Sequence, residues 1–508
     1  KGRKHMKTKK FLALLIVVVL LFTVTGCGGS NEGGGEAKDS LTIGIDSDAV
    51  ALDPLRVNDT LTMSILSNVY EPLVRMNNDS EIVPALATKW ETSDDGLEYT
   101  FTLRTDATFH NGDPITAEDV KYSLEAAVES SYTGPYMNFI DKVEAVDEKT
   151  VKVTLQYAYA PFLALCTTYS QVVKEEFYKD GEVDMAKNPI GSGPYKFKKW
   201  AQGDKIEFEA YDGYYQGAPA IKNLTYSIIP NSSTAALALE SGEIDMSLNV
   251  ATADIKAMKD KKGITLLEDP SSAFYFIGMN TNVDKLSDVR VRQAISKSIN
   301  KQNLIDGALD GYGVPTNTFI AEGVLGYDPD FDPLPYDVEE AKKLMKEAGY
   351  PDGFKLSISI PENRSKHAQI IQSDLSKIGI ELKIDIIETG KFWDDLENLD
   401  YEMMIMGWSY MVMDPDVGYY SLYKKDDMAG NYTGFGNKET DGLLAAGRTE
   451  TDQKKRAEIY AELEKIVQTA APYVPLYWRV DAVAHNENLT GVKIPPCGLY
   501  YVYDYAWK

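Results

Sequence analysis

One apolar run sets what the rest of this chain must do. Phe11 to Val24 is apolar apart from Thr23 and only 14 residues long, whereas a helix that crosses a bilayer needs about 20. Lys4, Lys7, Lys9 and Lys10 precede it and small residues follow, which is the pattern of a secretory signal; Lys1 to His5 read as a tag remnant. No later run approaches membrane length, so the 482 residues after Gly26 must bury their apolar side chains against one another. That length exceeds what one core can hold, and two or three domains are expected. A content of 44% hydrophobic and 11% aromatic residues suits folded domains and not a disordered chain.

Six basic residues and no acid precede Cys27, which leaves 46 Lys and Arg against 77 Asp and Glu, a net charge of −31. Such a surface repels phosphate backbones and excludes nucleic acid as a partner. Cys166 and Cys497 are the other two cysteines. They could pair, but two in so long an exported chain make no disulfide framework, and two buried thiols are expected.

Strand and helix periodicities alternate along the chain. Leu41, Ile43 and Ile45 alternate as a strand that breaks at Asp46 to Asp48, and "YTFTLR" and "TVKVTLQY" read as further strands. Between them, Thr116 and Asp119 stand at capping-box spacing ahead of Val120, Leu124 and Val128. "KIEFEAY" and "LKIDIIE" continue the strands, and "KKRAEIYAELEKIVQTA" the helices. H-E-x-x-H, G-x-S-x-G and G-x-x-x-x-G-K are all absent, and the four histidines offer little for metal or acid–base work. Asp328, Asp330, Asp332 and Glu339 imitate a calcium loop, but Pro333 stands where its turn needs glycine. A helix capped by Asp337 and ended at Gly349 explains more of these residues. His110 reads as a strand-end packing residue, and "GSGPY" at Gly191 as a bend at a domain junction.

"VTGC" resembles the lipobox of bacterial lipoproteins, in which the signal is cut before the cysteine and its thiol is lipidated. "GGSNEGGGE" after Cys27 would then be a flexible tether. The body resembles the extracellular solute-binding proteins of peptide and nickel import systems. The resemblance rests on "PALATKWETSDDGLEYTFTLRTDATFHNGDPITAEDVKYSL", "GSGPYKFKKW", "ALESGEIDM", "VRVRQAISKSIN", "AKKLMKEAGY", "IIQSDLSKIGIELKI", "MGWSYMVMDPD" and "APYVPLYW", in that order. It implies an α/β, three-domain Venus-flytrap receptor, periplasmic-binding-protein-like of type II, cluster C. Domain I would comprise 41–76, 191–276 and 479–508, domain II 77–190 and domain III 277–478, after a leader of 1–26 and a tether of 27–40. Crossings near Ile277 to Asn280 and Leu476 to Arg479 would hinge closure on a ligand.

The implied function is a non-enzymatic, monomeric receptor held to the membrane by lipid on Cys27. It would deliver short peptides to the permease of an ABC importer, with no cofactor, metal or nucleic acid. Ser47, Asp48, Ala49 and Val50 are expected on one wall of the site, and Trp408, Ser409, Tyr410 and Met411 on the other. An aspartate of the family commonly holds the peptide's amino terminus at the position of Met411, so Asp414, Asp416 or the Asp46/Asp48 loop must replace it, or the ligand is no conventional free peptide. Asn363 and Arg364 sit before a helix beginning near Ala368, where a cation gains nothing from the dipole unless an anion, Glu362 or a ligand carboxylate, joins it. A nickel or metal-chelate receptor on the same fold, or one for another small solute, is the alternative; no histidine lies in the Trp408 loop, and His367 is the nearest. An enzyme or chaperone has no residue in its favour.

Overall fold

The capping chemistry builds the elements it forecast. In the computed structural model, which describes residues 38–77, 80–180, 184–424 and 430–508, Thr116 and Asp119 close a reciprocal capping box on the helix Ala117–Glu129. Asp337 accepts from the Glu340 N–H at the start of Val338–Glu347, and Gly349 follows with φ of +93°. The strands Ser40–Ile45, Glu98–Leu103, Thr150–Leu155, Lys205–Ala210 and Ile380–Ile386 and the helix Gln453–Ala470 stand where periodicity put them. Cys27 and the tether up to residue 37 lie outside the described residues.

An eleven-stranded mixed sheet runs through most of residues 39–508. Its central pair, Ile264–Met279 and Tyr473–Asn486, is antiparallel and far longer than its neighbours, at 16 and 14 residues. The pair serves two bodies in turn. Ile264 to Pro270 pair with Val480 to Asn486, and Phe274 to Gly278 pair with Tyr473 to Trp478. Between Pro270 and Phe274 the register slips. On one side of this slip, Ser40–Ile45 pairs in parallel with both Asn223–Ile228 and Met246–Ser247. These strands overlie the first lobe's core of Leu41, Ile43, Tyr195, Tyr226, Val483 and Val502. On the other side, the two faces of the sheet carry separate cores of the second lobe. Alternation sends Phe274 and Phe276 into one, and Ile277 and Met279 into the other.

A third body inserts into the first lobe. Its four-stranded sheet, in the order Ala87–Thr92, Glu98–Leu103, Thr150–Leu155, Ile140–Asp147, packs on Ala117–Glu129 and Phe162–Tyr169. The core of this small body runs from Leu73 to Val172, with Tyr70 and Val173 already in the first lobe's core. Backbone fixes the junction. A Cβ on Gly191 would lie 2.0 Å from the Val69 carbonyl oxygen, and the Gly193 N–H donates to that same oxygen at 2.8 Å. The His110 ring accepts from the Gly191 N–H at 3.2 Å and lies 3.0 Å from the Gly193 carbonyl. Burial pushes this imidazole down to about 4, so it is a neutral packing group. Cys166 and Cys497 are separate buried thiols.

Candidate ligand cleft

The two lobes share the central strand pair, and a groove opens beside its register slip. Just beyond the slip, Tyr275 and Tyr477 face each other across the ladder with ring centroids 5.0 Å apart and planes at 21°. A short turn, Glu362–Arg364, leads into the helix Ser365–Ser376. From it the Arg364 guanidinium lies 4.5 Å over the Tyr275 ring, and its Nη2 donates to the Tyr275 hydroxyl at 3.1 Å. One turn on, His367 Nε2 is 2.8 Å from the Tyr477 hydroxyl; burial, then Arg364, holds this imidazole down at about 4. Arg364 therefore has aromatic and phenolic neighbours but forms no ion pair among the described residues. Glu362 is not bonded to it. Facing it, Arg479 donates from Nε to Asp481 at 2.6 Å.

Tyr275, Arg364, Tyr477, Arg479 and Asp481 line about 220 Å³ of groove, which continues through Asn249, Val250, Ala251 and Arg479 into a further 300 Å³. That second part lies at the carboxyl ends of the parallel strands, where Ile45, Asp46 and Ser247 reach it. Open sheets present their ligand sites at such strand ends. Asp46 is exposed there and accepts from Asn249 Nδ2 at 3.1 Å and Ser47 Oγ at 3.1 Å.

A larger chamber, about 810 Å³, separates the small body from the second lobe, with Tyr136, Gln156 and Tyr157 on one side and Trp408, Tyr420 and Arg448 on the other. Its charges are compensated within its own walls. Arg448 Nε bonds both oxygens of buried Asp416 at 3.1 Å, and Lys424 pairs with Asp441 at 3.2 Å. Burial pushes the Asp416 carboxyl up, against Arg448 and the Tyr159 hydroxyl, which pull it down.

The residues expected on the two walls are dispersed. Trp408 lines the chamber and Arg364 the groove beside the register slip, with exposed Asn363 beside it. Asp48 is engaged by Trp200 Nε1 at 2.9 Å and the Gly203 N–H at 2.7 Å, Ser47 bonds Asp46, and Val50 is solvent-exposed. Ala49 and Tyr410 are buried in the cores of the first and second lobes, respectively. Ser409 closes the strand Met403–Ser409 opposite Ala273. Met411 packs against the small body, and its carbonyl accepts from Thr168 Oγ1 at 3.3 Å. Asp414 is held by two 2.7 Å bonds from Arg456, both groups being buried. Tyr275, Tyr477 and Arg479, which line the groove, were not among the expected ligand contacts, although Leu476 to Arg479 was expected as a crossing between domains. Tyr275 and Tyr477 could have been noticed as tyrosines in two apolar strand runs, but only pairing stacks them on each other.

The sequence profile of the bacterial extracellular solute-binding proteins, family 5 Middle, matches residues 81–430, more than half of the chain. The chain belongs to this family. Its curated relatives include the glutathione-binding protein GsiB of Salmonella choleraesuis, 30% identical over 477 residues, covering 91% of this chain and 93% of the relative. The substrate-binding protein CtaP of Listeria monocytogenes superposes with a TM-score of 0.85 at 28% identity, covering 93% of this chain and all of that one. The periplasmic binding protein DppA of Helicobacter pylori, solved with the peptide STSA, gives 0.79 at 29% identity, with 93% and 98% covered. This solute-binding protein therefore has the type II fold and is a substrate-binding receptor of the ABC importer class, not an enzyme.

Proposed function

We propose that this receptor captures short peptides outside the cytoplasm, as a monomer anchored by lipid on Cys27, and delivers them to an ABC permease. The observation that carries the reading is the Arg364 guanidinium. It lies at the mouth of the groove between the lobes, stacked on Tyr275 and without a carboxylate partner among the described residues. Guanidinium can bond both oxygens of a carboxylate in one plane, and the positive end of the helix Ser365–Ser376 favours an anion there. Relatives named for glutathione and solved with a peptide fit such a ligand. At the other end of the ligand, Asp414 and Asp416 are committed to Arg456 and Arg448, and Asp48 to Trp200 and Gly203. Exposed Asp46, at the strand ends of the same groove, is then the acid for the ammonium group.

Calorimetry with glutathione, Ser-Thr-Ser-Ala and Met-Leu, each as free acid and C-terminal amide, tests this on wild type and Arg364→Ala. Losing one partner of a desolvated charge pair costs about 2–5 kcal/mol, so the acids should lose at least about tenfold in affinity and the amides little. Equal losses for acid and amide would make Arg364 structural. Mass spectrometry of small molecules retained by the purified receptor would identify the ligand directly.

A further inference from the structure

The chain does not pass directly from the small body to the second lobe: it enters the small body from the first lobe at Tyr70 and returns to the first lobe at Val173. The second lobe is tied to the first through the strands Ile264–Met279 and Tyr473–Asn486. Everything joining the small body to the second lobe is therefore breakable. The Tyr159 hydroxyl donates to Asp416 Oδ2 at 2.9 Å, the Ala160 N–H to the Arg448 carbonyl at 2.8 Å, and Val412 is buried in the small body's core. Asp416 is also bonded within its own lobe, by Arg448 and by the Tyr460 hydroxyl at 3.2 Å. Separation would thus remove one phenol from the carboxylate and leave its counter-charge in place. A contact that is buried when formed and tolerable when broken suits a reversible joint.

We propose that Tyr159 and Ala160, meeting Val412, Asp416 and Arg448, form a clasp that holds the chamber shut and sets how long the receptor stays closed. The proposal rests on the reading of the protein as a closing receptor. It separates two phenols that bond one carboxylate, since only Tyr159 reaches Asp416 from the other body.

Hydrogen exchange at the Ala160 amide, followed by mass spectrometry on the full chain, reads the joint directly. Removing a hydrogen bond to a charged group is worth roughly tenfold. Tyr159→Phe should therefore speed Ala160 exchange about tenfold with the cores of both lobes still protected. Tyr460→Phe should lower the melting temperature but leave Ala160 at the wild-type rate. No effect of Tyr159→Phe, or equal effects of both variants at Ala160, would overturn the clasp. Glutathione or Ser-Thr-Ser-Ala added to wild type should slow Ala160 further. A Tyr159→Phe effect with no response to either peptide would support the clasp and count against peptide capture, whereas a peptide response without a Tyr159→Phe effect would remove the clasp alone.

Discussion

Glu464 should make the second lobe's stability depend on pH in a direction that a single conservative change abolishes. Its carboxyl is 1% exposed in the helix Gln453–Ala470 and accepts bonds from the Thr318 hydroxyl and, at 2.9 Å, from the Tyr419 hydroxyl. No cation is paired with it among the described residues, and burial raises it from 4.5 to about 7. The folded state therefore holds this proton more tightly than the unfolded chain, so stability falls as pH rises from about 4.5 to about 7. At 1.36 kcal/mol per pH unit, the loss across that window is about 3 kcal/mol. His110 and His367 act oppositely: both are held down at about 4, so the folded state loses stability as pH falls below about 6.5. The raw profile of the wild type is thus mixed, and the comparison with Glu464→Gln isolates the carboxyl. Urea unfolding of both proteins at pH 5 and pH 8 should show the wild type losing about 2–3 kcal/mol relative to the variant at the higher pH. A wild type–variant difference that is the same at both values, or a wild type that loses stability relative to the variant at pH 5, would refute the argument.

Arg456→Met should destabilise the second lobe by about 3–5 kcal/mol, because it strands buried Asp414. Adding Asp414→Asn should recover part of that loss, and a double-mutant cycle by denaturant unfolding measures the coupling. Gly191→Ala should cost about 1–3 kcal/mol or more, since its Cβ would meet the Val69 carbonyl oxygen at 2.0 Å; a thermal melt unchanged from wild type would show that the junction can yield. Cys27→Ala should release the protein from membranes or leave the precursor uncut, as fractionation and intact mass would show.

Local chemistry was legible without coordinates wherever one residue type satisfies one stretch of backbone. Thr116 with Asp119, Asp337 and Gly349 placed helix ends, and alternation placed Ser40–Ile45, because caps and pleats act over a few residues. Arg364 could be singled out as a cation at a helix start for the same reason. What surrounds it could not. The pairing of residues about two hundred positions apart puts Tyr477 beside Tyr275, and the fold brings the guanidinium over Tyr275. The acids of the Trp408 loop look alike in sequence, yet tertiary contacts gave Asp414 to Arg456 and Asp416 to Arg448 and Tyr159. The sequence determined which segments are strands and helices and that they belong to a solute-binding family. The tertiary structure alone decided which charges are paired inside the protein, because ion pairing depends on distance in space and not along the chain.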